Sequence, residues 1–286
     1  MSNQVYDIIT AQIIEQLNAG VIPWHQSYVG GMPQNGISKK PYNGINVFLL
    51  SVRGFANPFW FTYKQAQEAG GSVRKDEKST KVIFWKKFTP AHKDDGRQPG
   101  EVSEDELKDH LVMRYYSVFN FEQCEGLSAD KYGIKTGTFN PIKAAEVIVK
   151  GYNGAPTVVH NEQRAYYAIE KDFVNMPKPE TFVKPEFYYK TLFHEFTHST
   201  GAAHRLNRKL TGHQAGSQQD YSKEELIAEM GASFLSGRAG IFDAPQLEQA
   251  AAYIQSWIKV LKNDSKMVIQ AASAAQKAAD YITGGV

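Results

Sequence analysis

The amino-acid sequence predicts an α+β protein in two domains, and three features carry that expectation. The first half interleaves short aromatic, strand-like runs with amphipathic helical stretches. The second half carries a histidine-bearing helix followed by long helical segments, and residues 131–140 between the halves are small and polar, with Gly133, Gly137 and then Pro141. Helical and strand periods in separate blocks, joined by such a linker, read as α+β layers around separate cores. The expected boundaries are 1–130 for a small mixed α/β domain, 131–150 for the linker and first helix, and 151–286 for the second domain.

Composition narrows the classes. The 286 residues are 42% hydrophobic, enough for two buried cores and too apolar for a disordered chain. A single cysteine, Cys124, excludes a disulfide framework or a cysteine-built metal site and fits a reducing compartment. No basic-plus-apolar leader opens the sequence and no apolar run approaches about 18 residues, so a cytoplasmic protein without a membrane span is expected. The net charge of +2 hides an uneven distribution: from Lys39 to Lys93 eleven Lys or Arg face only Glu68, Asp76 and Glu77, a local excess of +8. Such asymmetry attracts phosphates.

In chain order, Val5, Ile8, Ile9, Ile13 and Leu17 recur at helical spacing, and Gly20 with Pro23 ends that amphipathic helix. Turn residues punctuate the chain to Asn43-Gly44, after which 46–52 is helix or strand, undecided by period. Thr62 is a good N-cap for 63–69, with Gly70-Gly71 as the stop. Arg74, Lys75, Lys78 and Lys81 then lead directly into a strand over 82–88, and Arg114 to Asn120 reads as the strand closing the first domain. The polar, acidic stretch 94–109 reads as a solvated loop. Beyond the linker, a helix over 142–152 precedes short strands at 158–160, 165–169 and 172–176. Two alanine-rich helices between 245 and 282, with Ala250, Tyr253, Ile254, Trp257 and Leu261 in one stripe, supply packing.

Two constellations point to chemistry. The first is Thr191-Leu-Phe-His194-Glu195-Phe-Thr-His198-Ser-Thr-Gly201. On a helix His194 and His198 share one face, so two neutral imidazoles can hold one divalent ion while Glu195, one residue round, serves as general base toward a water. This is the active helix of a zincin, and Zn²⁺ or another divalent ion such as Mn²⁺ is the expected cofactor. For the third ligand, His204 completes His-Glu-x-x-His-x-x-Gly-x-x-His. The rivals are Glu225 and Glu229, on one face of a later helix. Ser222 and Glu225 fit a Ser-x-x-Glu capping box, giving Glu225 a structural task. Glu229, among Ile227, Met230, Phe234 and Leu235, is a carboxylate that a metal would relieve. Glu229 is therefore the expected ligand, with His204 and then Glu225 as alternates. Strands before the metal helix suit an extended peptide laid along a sheet edge, and Arg205 and Arg208 are expected to pair with carboxylates.

The second constellation is cationic and aromatic: Arg74, Lys75, Lys78 and Lys81 beside Trp60 and Trp85. Rings in strands are commonly core. Rings interleaved with cations also grip single-stranded nucleic acid by stacking and phosphate neutralisation. Sequence leaves both readings open.

A family resemblance draws the constellations together. Residues 17–24, Pro41-Tyr-Asn-Gly-Ile-Asn46, Trp60-Phe-Thr-Tyr-Lys-Gln-Ala66, Gly70-Gly-Ser-Val-Arg-Lys75, Glu77-Lys-Ser-Thr80 and Val118-Phe-Asn-Phe-Glu-Gln123 closely resemble the amino-terminal domain of the ArdC antirestriction family. His194-Glu-x-x-His198-x-Thr-Gly201, Arg205-Leu-Asn-Arg208 and Glu225-Leu-Ile-Ala-Glu229 resemble the metallopeptidase domain that accompanies it. The resemblance implies a protein of conjugative plasmids or phages in which a single-stranded-DNA-binding domain joined to a zincin-like metallopeptidase shields incoming DNA from host restriction. A protein of the restriction or DNA-processing machinery would be its substrate. It also implies a recurring glutamate at Glu229 and no fixed histidine at His204. Asp76 departs from the family's usual glycine and sets a negative charge among the phosphate-binding candidates. The competing expectation is a non-catalytic protein that coats single-stranded DNA and whose metal only staples its domain.

Overall fold

The computed structural model describes residues 2–19, 21–25, 32–55, 57–88, 110–133, 141–182, 184–210, 218–241, 255 and 257–285. The polar stretch 94–109, residues 134–140 of the expected linker, the loop about His213, and Ala250, Tyr253 and Ile254 lie outside them.

The α+β class holds. Helix α1 (Ser2–Asn18) buries Val5, Ile9, Ile13 and Leu17 of the stripe expected from period, while Ile8, one residue round from Ile9, is 39% exposed. Strand β1 (Gln34–Asn35) follows, and the undecided segment is helix α2 (Ile45–Ser51), buried from Ile45 through Leu50. Strand β2 (Phe59–Phe61) leads into α3 (Tyr63–Glu68), where Thr62 caps as expected and completes a capping box with Gln65. Strand β3 (Ser72–Val73), the long pair β4 (Thr80–Phe88) and β5 (His110–Asn120), β6 (Cys124–Glu125) and the short α4 (Ala129–Tyr132) complete the first half. Its main sheet has the order β1-β2-β5-β4, with β1 and β2 parallel and the other pairs antiparallel. That leaves β4 at an edge, and the Asn46 carboxamide covers part of it: Nδ2 donates to Ile83 O (2.7 Å) and Oδ1 accepts from Ile83 N (2.8 Å). A buried amide thus stands in for the missing strand.

The second half opens with α5 (Pro141–Gly151), followed by β7 (Thr157–Val159), β8 (Tyr166–Ala168) and β9 (Phe173–Asn175), ordered β7-β9-β8. Helices α6 (Pro185–Ser199) and α7 (Gln218–Arg238), a helical run over 257–263 (α8), and α9 (Met267–Ile282) follow. Proline at the first turn of α6 needs no amide partner and presets the helical φ. Helix α7 differs from the sequence expectation at its start. It begins at Gln218, so Ser222 and Glu225 lie inside the helix and the expected capping box does not form.

One buried cluster runs through both halves, from Val5 and Phe48 to Phe234, Trp257 and Ile282. Phe48 stacks on Phe234 (4.8 Å between centroids) and Trp24 meets Trp257 edge-on (5.1 Å). Polar contacts follow the same seam: Thr10 Oγ1 donates to Ser265 O (2.6 Å), and Gly44 N donates to Gln276 Oε1 (3.1 Å). No helix among the described residues is long and apolar enough to cross a membrane.

Candidate metal centre

Helix α6 turns Leu192, Phe193 and Phe196 into the core and leaves His194 and His198 at its half-buried border. The chain then folds back sharply: Leu206 N donates to Thr200 O (2.8 Å) and Arg208 N to Gly201 O (3.0 Å). A Cβ on Gly201 would come within 2.7 Å of Leu210 and 2.9 Å of the Arg208 guanidinium, so any side chain here would have to push both aside. Helix α7 lies against α6 at Gly231, where a Cβ would sit 2.5 Å from Thr197 Cγ2. That approach carries Glu224, Glu225 and Glu229 to the histidines.

His194 Nε2 and His198 Nε2 face each other at 3.1 Å. Glu225 spans them, Oε2 lying 3.6 Å from His194 Nε2 and Oε1 3.5 Å from His198 Nε2. These three side chains form the metal-competent group among the described residues. A tetrahedral ion with legs of about 2.1 Å has ligand-to-ligand edges of about 3.4 Å, so the spacing and the donor set fit a divalent ion. Glu195 is buried, 7% exposed, beside His194.

The expected ligands Glu229 and His204 are placed otherwise. Glu229 Oε1 stands 3.6 Å from Nδ1 of His194, the nitrogen away from His198. His204 is 61% exposed, and its Nε2 lies 3.3 Å from Asp172 Oδ2. Asp172 is in turn clamped by Arg205 (2.7 and 2.9 Å) and accepts from Tyr167 OH (2.8 Å). The Arg205 hydrogen bonds, with that of Tyr167, outweigh burial and hold the Asp172 carboxyl below its ordinary range. His204 therefore belongs to a loop-bracing network, and the metzincin-like spacing does not bring a third imidazole to the pair.

Both imidazoles have a carboxylate near Nδ1, hydrogen-bonded at His198 and 3.6 Å away at His194. Glu224 Oε1 lies 3.3 Å from His198 Nδ1, and Arg208 grips the same carboxylate at 2.6 and 3.1 Å while donating to Thr200 Oγ1 (2.6 Å) and Thr197 O (2.8 Å). A carboxylate on Nδ1 selects the tautomer whose Nε2 lone pair is free for a metal. Sequence reasoning expected carboxylate partners for Arg205 and Arg208 and found them, yet missed Glu224, whose only signal was its place beside Glu225. Burial is the largest single influence on His194 and opposes its charge. The hydrogen bond it donates to Glu225 and the negative fields of Glu229, Glu195 and Glu225 nevertheless raise it to about 9. Burial likewise works against ionised Glu224 and Glu225, but their histidine and arginine partners leave both carboxyls lowered. A site this rich in carboxylates calls for a cation.

The nucleic-acid candidates separate into core and surface. Trp60 is 2% exposed and packs edge-on to Phe55 (5.6 Å), so it is a core residue and leaves the set of stacking candidates. Trp85 is 49% exposed and stays a candidate, and the pair β4–β5 carries further exposed rings that the sequence reading missed: Tyr115 (51%) on the Trp85 face, and Phe84 (44%) with Tyr116 (41%) on the opposite face. Lys81 Nζ sits 5.0 Å from the Tyr115 ring centroid and donates to Ser117 Oγ (2.7 Å). Lys75 and Lys78 are exposed, while Arg74 pairs with Glu77 (2.8 Å). Asp76 has φ +67°, a left-handed conformation that explains why glycine suits the position and why aspartate is tolerated. Glu77, not Asp76, holds the neighbouring cation.

Residues 3–119 match the family described as the N-terminal domain of anti-restriction factor ArdC, and residues 143–274 match a zincin-like metallopeptidase family. Two Escherichia coli relatives named DNA primase TraC are 36% identical over 97% of this chain, which spans 20% and 27% of their lengths. An uncharacterized protein y4eC from Sinorhizobium fredii is 31% identical, with 97% of this chain aligned to 91% of its length. Crystal structures of the antirestriction ArdC protein from the R388 plasmid, one metal-free and one Mn(II)-bound, superpose with a TM-score of 0.76 at 33% identity, covering 98% of this chain and 97% of theirs. With both family matches in order along the sequence and a solved member similar over nearly its full length, the chain belongs to the ArdC antirestriction family and carries a zincin-like metallopeptidase domain.

Proposed function

We propose that this chain is a single-stranded-DNA-binding metallopeptidase that protects incoming DNA from restriction, with its divalent ion held by His194, His198 and Glu225. The observation that carries the reading is the half-buried histidine pair bridged by Glu225, with Glu195 beside it. The zincin-like domain and the Mn(II)-bound relative point to a divalent metal; Zn²⁺ and Mn²⁺ both fit the donor set. When bound, the ion supplies Lewis acidity toward a peptide carbonyl and acidifies a water. Glu195 accepts a proton from that water and returns it to the leaving amine. Glu224 holds the His198 ring by Nδ1 and is itself held by Arg208, while Glu229 sets a negative charge beside Nδ1 of His194. The edges β7 and β8 offer backbone groups to an extended peptide.

For DNA, the exposed rings of Trp85 and Tyr115, on the same face of the β4–β5 pair as Lys81, would stack on bases while Lys75, Lys78 and Lys81 track phosphates. The proposed division of labour gives residues 1–130 the larger part of the DNA surface and residues 151–286 the metal. Because the two halves share one core, its tests require the full chain. The deciding experiment is Glu195→Gln, which spares the ligands. Loss of protection in vivo, with metal content and oligonucleotide affinity unchanged, supports the peptidase reading. Full protection by that variant would refute it in favour of DNA coating with a structural metal.

A further inference from the structure

A cavity of about 580 Å³ lies where the β4 edge meets the last helix, a size typical of small-ligand sites. Its walls come from both halves of the chain: Tyr6 of α1, Trp85 of β4, Arg208 beyond the metal helix, and Gln270, Ser273 and Lys277 of α9. The Trp85 and Tyr6 rings stand 6.5 Å apart with planes inclined by 57°, and the Lys266 ammonium lies 5.8 Å from the Tyr6 ring. None of the described residues lining the cavity is acidic.

Each kind of wall suits a different part of a nucleotide. A half-exposed indole offers a stacking face that any base can use. The Gln270 amide and Ser273 hydroxyl can meet base or sugar polar atoms, and Lys277 provides a phosphate's countercharge. An apolar peptide side chain would use the rings and leave the ammonium unmatched. We propose that this cavity takes one nucleotide of a single-stranded DNA, with its base against Trp85 and its phosphate at Lys277. The DNA track then continues from the β4 and β5 surface across the seam onto α9. There it runs beside Arg208, the guanidinium that holds Glu224 against His198. This inference rests on the single-stranded-DNA reading above and extends it to the C-terminal half.

The test uses the full chain and anisotropy titrations of a labelled oligo-dT at several salt concentrations. Trp85→Ala is expected to weaken binding about ten- to a hundredfold with the salt slope unchanged, and Trp85→Phe to restore most of it. Lys277→Gln, at an exposed position, is expected to lower the slope of log affinity against log salt by about 0.7. Photocrosslinking with 5-iodouracil should label Trp85 or Tyr6. Wild-type-like slope and affinity for Lys277→Gln, with no label at either ring, would remove the cavity from the DNA track while leaving DNA binding intact. Absence of oligo-dT binding by the unaltered chain would instead overturn the underlying reading. A peptide that protects Trp85 from quenching where oligo-dT does not would assign the cavity to a protein substrate and refute the proposal.

Discussion

Raising the pH from 7 to 9 should tighten divalent-metal binding roughly a hundredfold while loosening the metal-free fold. The perturbation acts on His194, which is buried yet raised to about 9 by the Glu225 hydrogen bond and the surrounding carboxylate charges. A metal takes the neutral ring, so binding at pH 7 must expel a proton, and each pH unit up to about 9 is worth about tenfold in affinity. Above that the affinity should level off. Without metal the sign reverses. An unfolded histidine titrates near 6.5, so the folded-state increase stabilises the protein fully below about pH 6.5 and is lost as pH rises through about 9. A difference of about 2.5 units corresponds to about 3 kcal/mol. The lowered carboxyls of Glu224 and Glu225 do not blur this window, because their stabilisation is present above the ordinary carboxylate range and fades only as acid protonates them. Mn²⁺ titrations followed by electron paramagnetic resonance, with urea unfolding in the presence and absence of chelator, measure both trends. A metal affinity that is flat from pH 7 to 9 would refute the reasoning. Variants complete the test. Glu229→Gln removes a negative field without removing the proposed ligand, so it should keep the metal and flatten the slope, whereas Glu225→Ala should lose the metal. The opposite pattern would transfer the ligand role to Glu229.

Other outcomes follow from the same geometry. Glu224→Gln should lower metal affinity about 10- to 100-fold in the same Mn²⁺ titration, because His198 loses the charged partner of its Nδ1; an unchanged affinity would show that the contact orients nothing. Gly231→Ala should destabilise the fold by about 1–3 kcal/mol in urea titrations, since its methyl would press on Thr197 where α6 and α7 meet. Trp60→Ala should cost about 3–5 kcal/mol of stability as a core truncation; a Trp60→Ala protein that stays stable but loses oligonucleotide affinity would return that ring to the surface. Burial pushes the Cys124 thiol up to about 11, so it should react slowly with a disulfide reagent at pH 8 and rapidly once the chain is unfolded.

What was legible in the sequence was local. His194 and His198 stand together because one helical turn separates them, and any helix over that motif makes the pair. Thr62 and Gln65 cap α3 from three residues apart, and the α1 stripe follows from period alone. The family follows from motifs strung along nearly the whole chain. The third ligand proposed here, Glu225, was not legible. Its identity depends on where α7 begins and how far it slides along α6. A start at Gln218 frees Glu225 from the capping role its Ser-x-x-Glu context suggested, and the contact of Gly231 with Thr197 sets the register that points Glu225 at Nε2 and Glu229 at Nδ1. His204 matched a ligand spacing, but the pairing of Asp172 with Arg205, more than thirty residues apart, claims it first. The two tryptophans show the same limit: both stand in strand-like runs, and what covers each ring decides which is core. Period and capping concern neighbours a turn apart, so sequence by itself determined α1, the α3 cap, the histidine pair and the family. The placing of Glu225 between the histidines, burial and the core shared by the two halves arise from contacts between distant segments, and these only the packed tertiary structure decided.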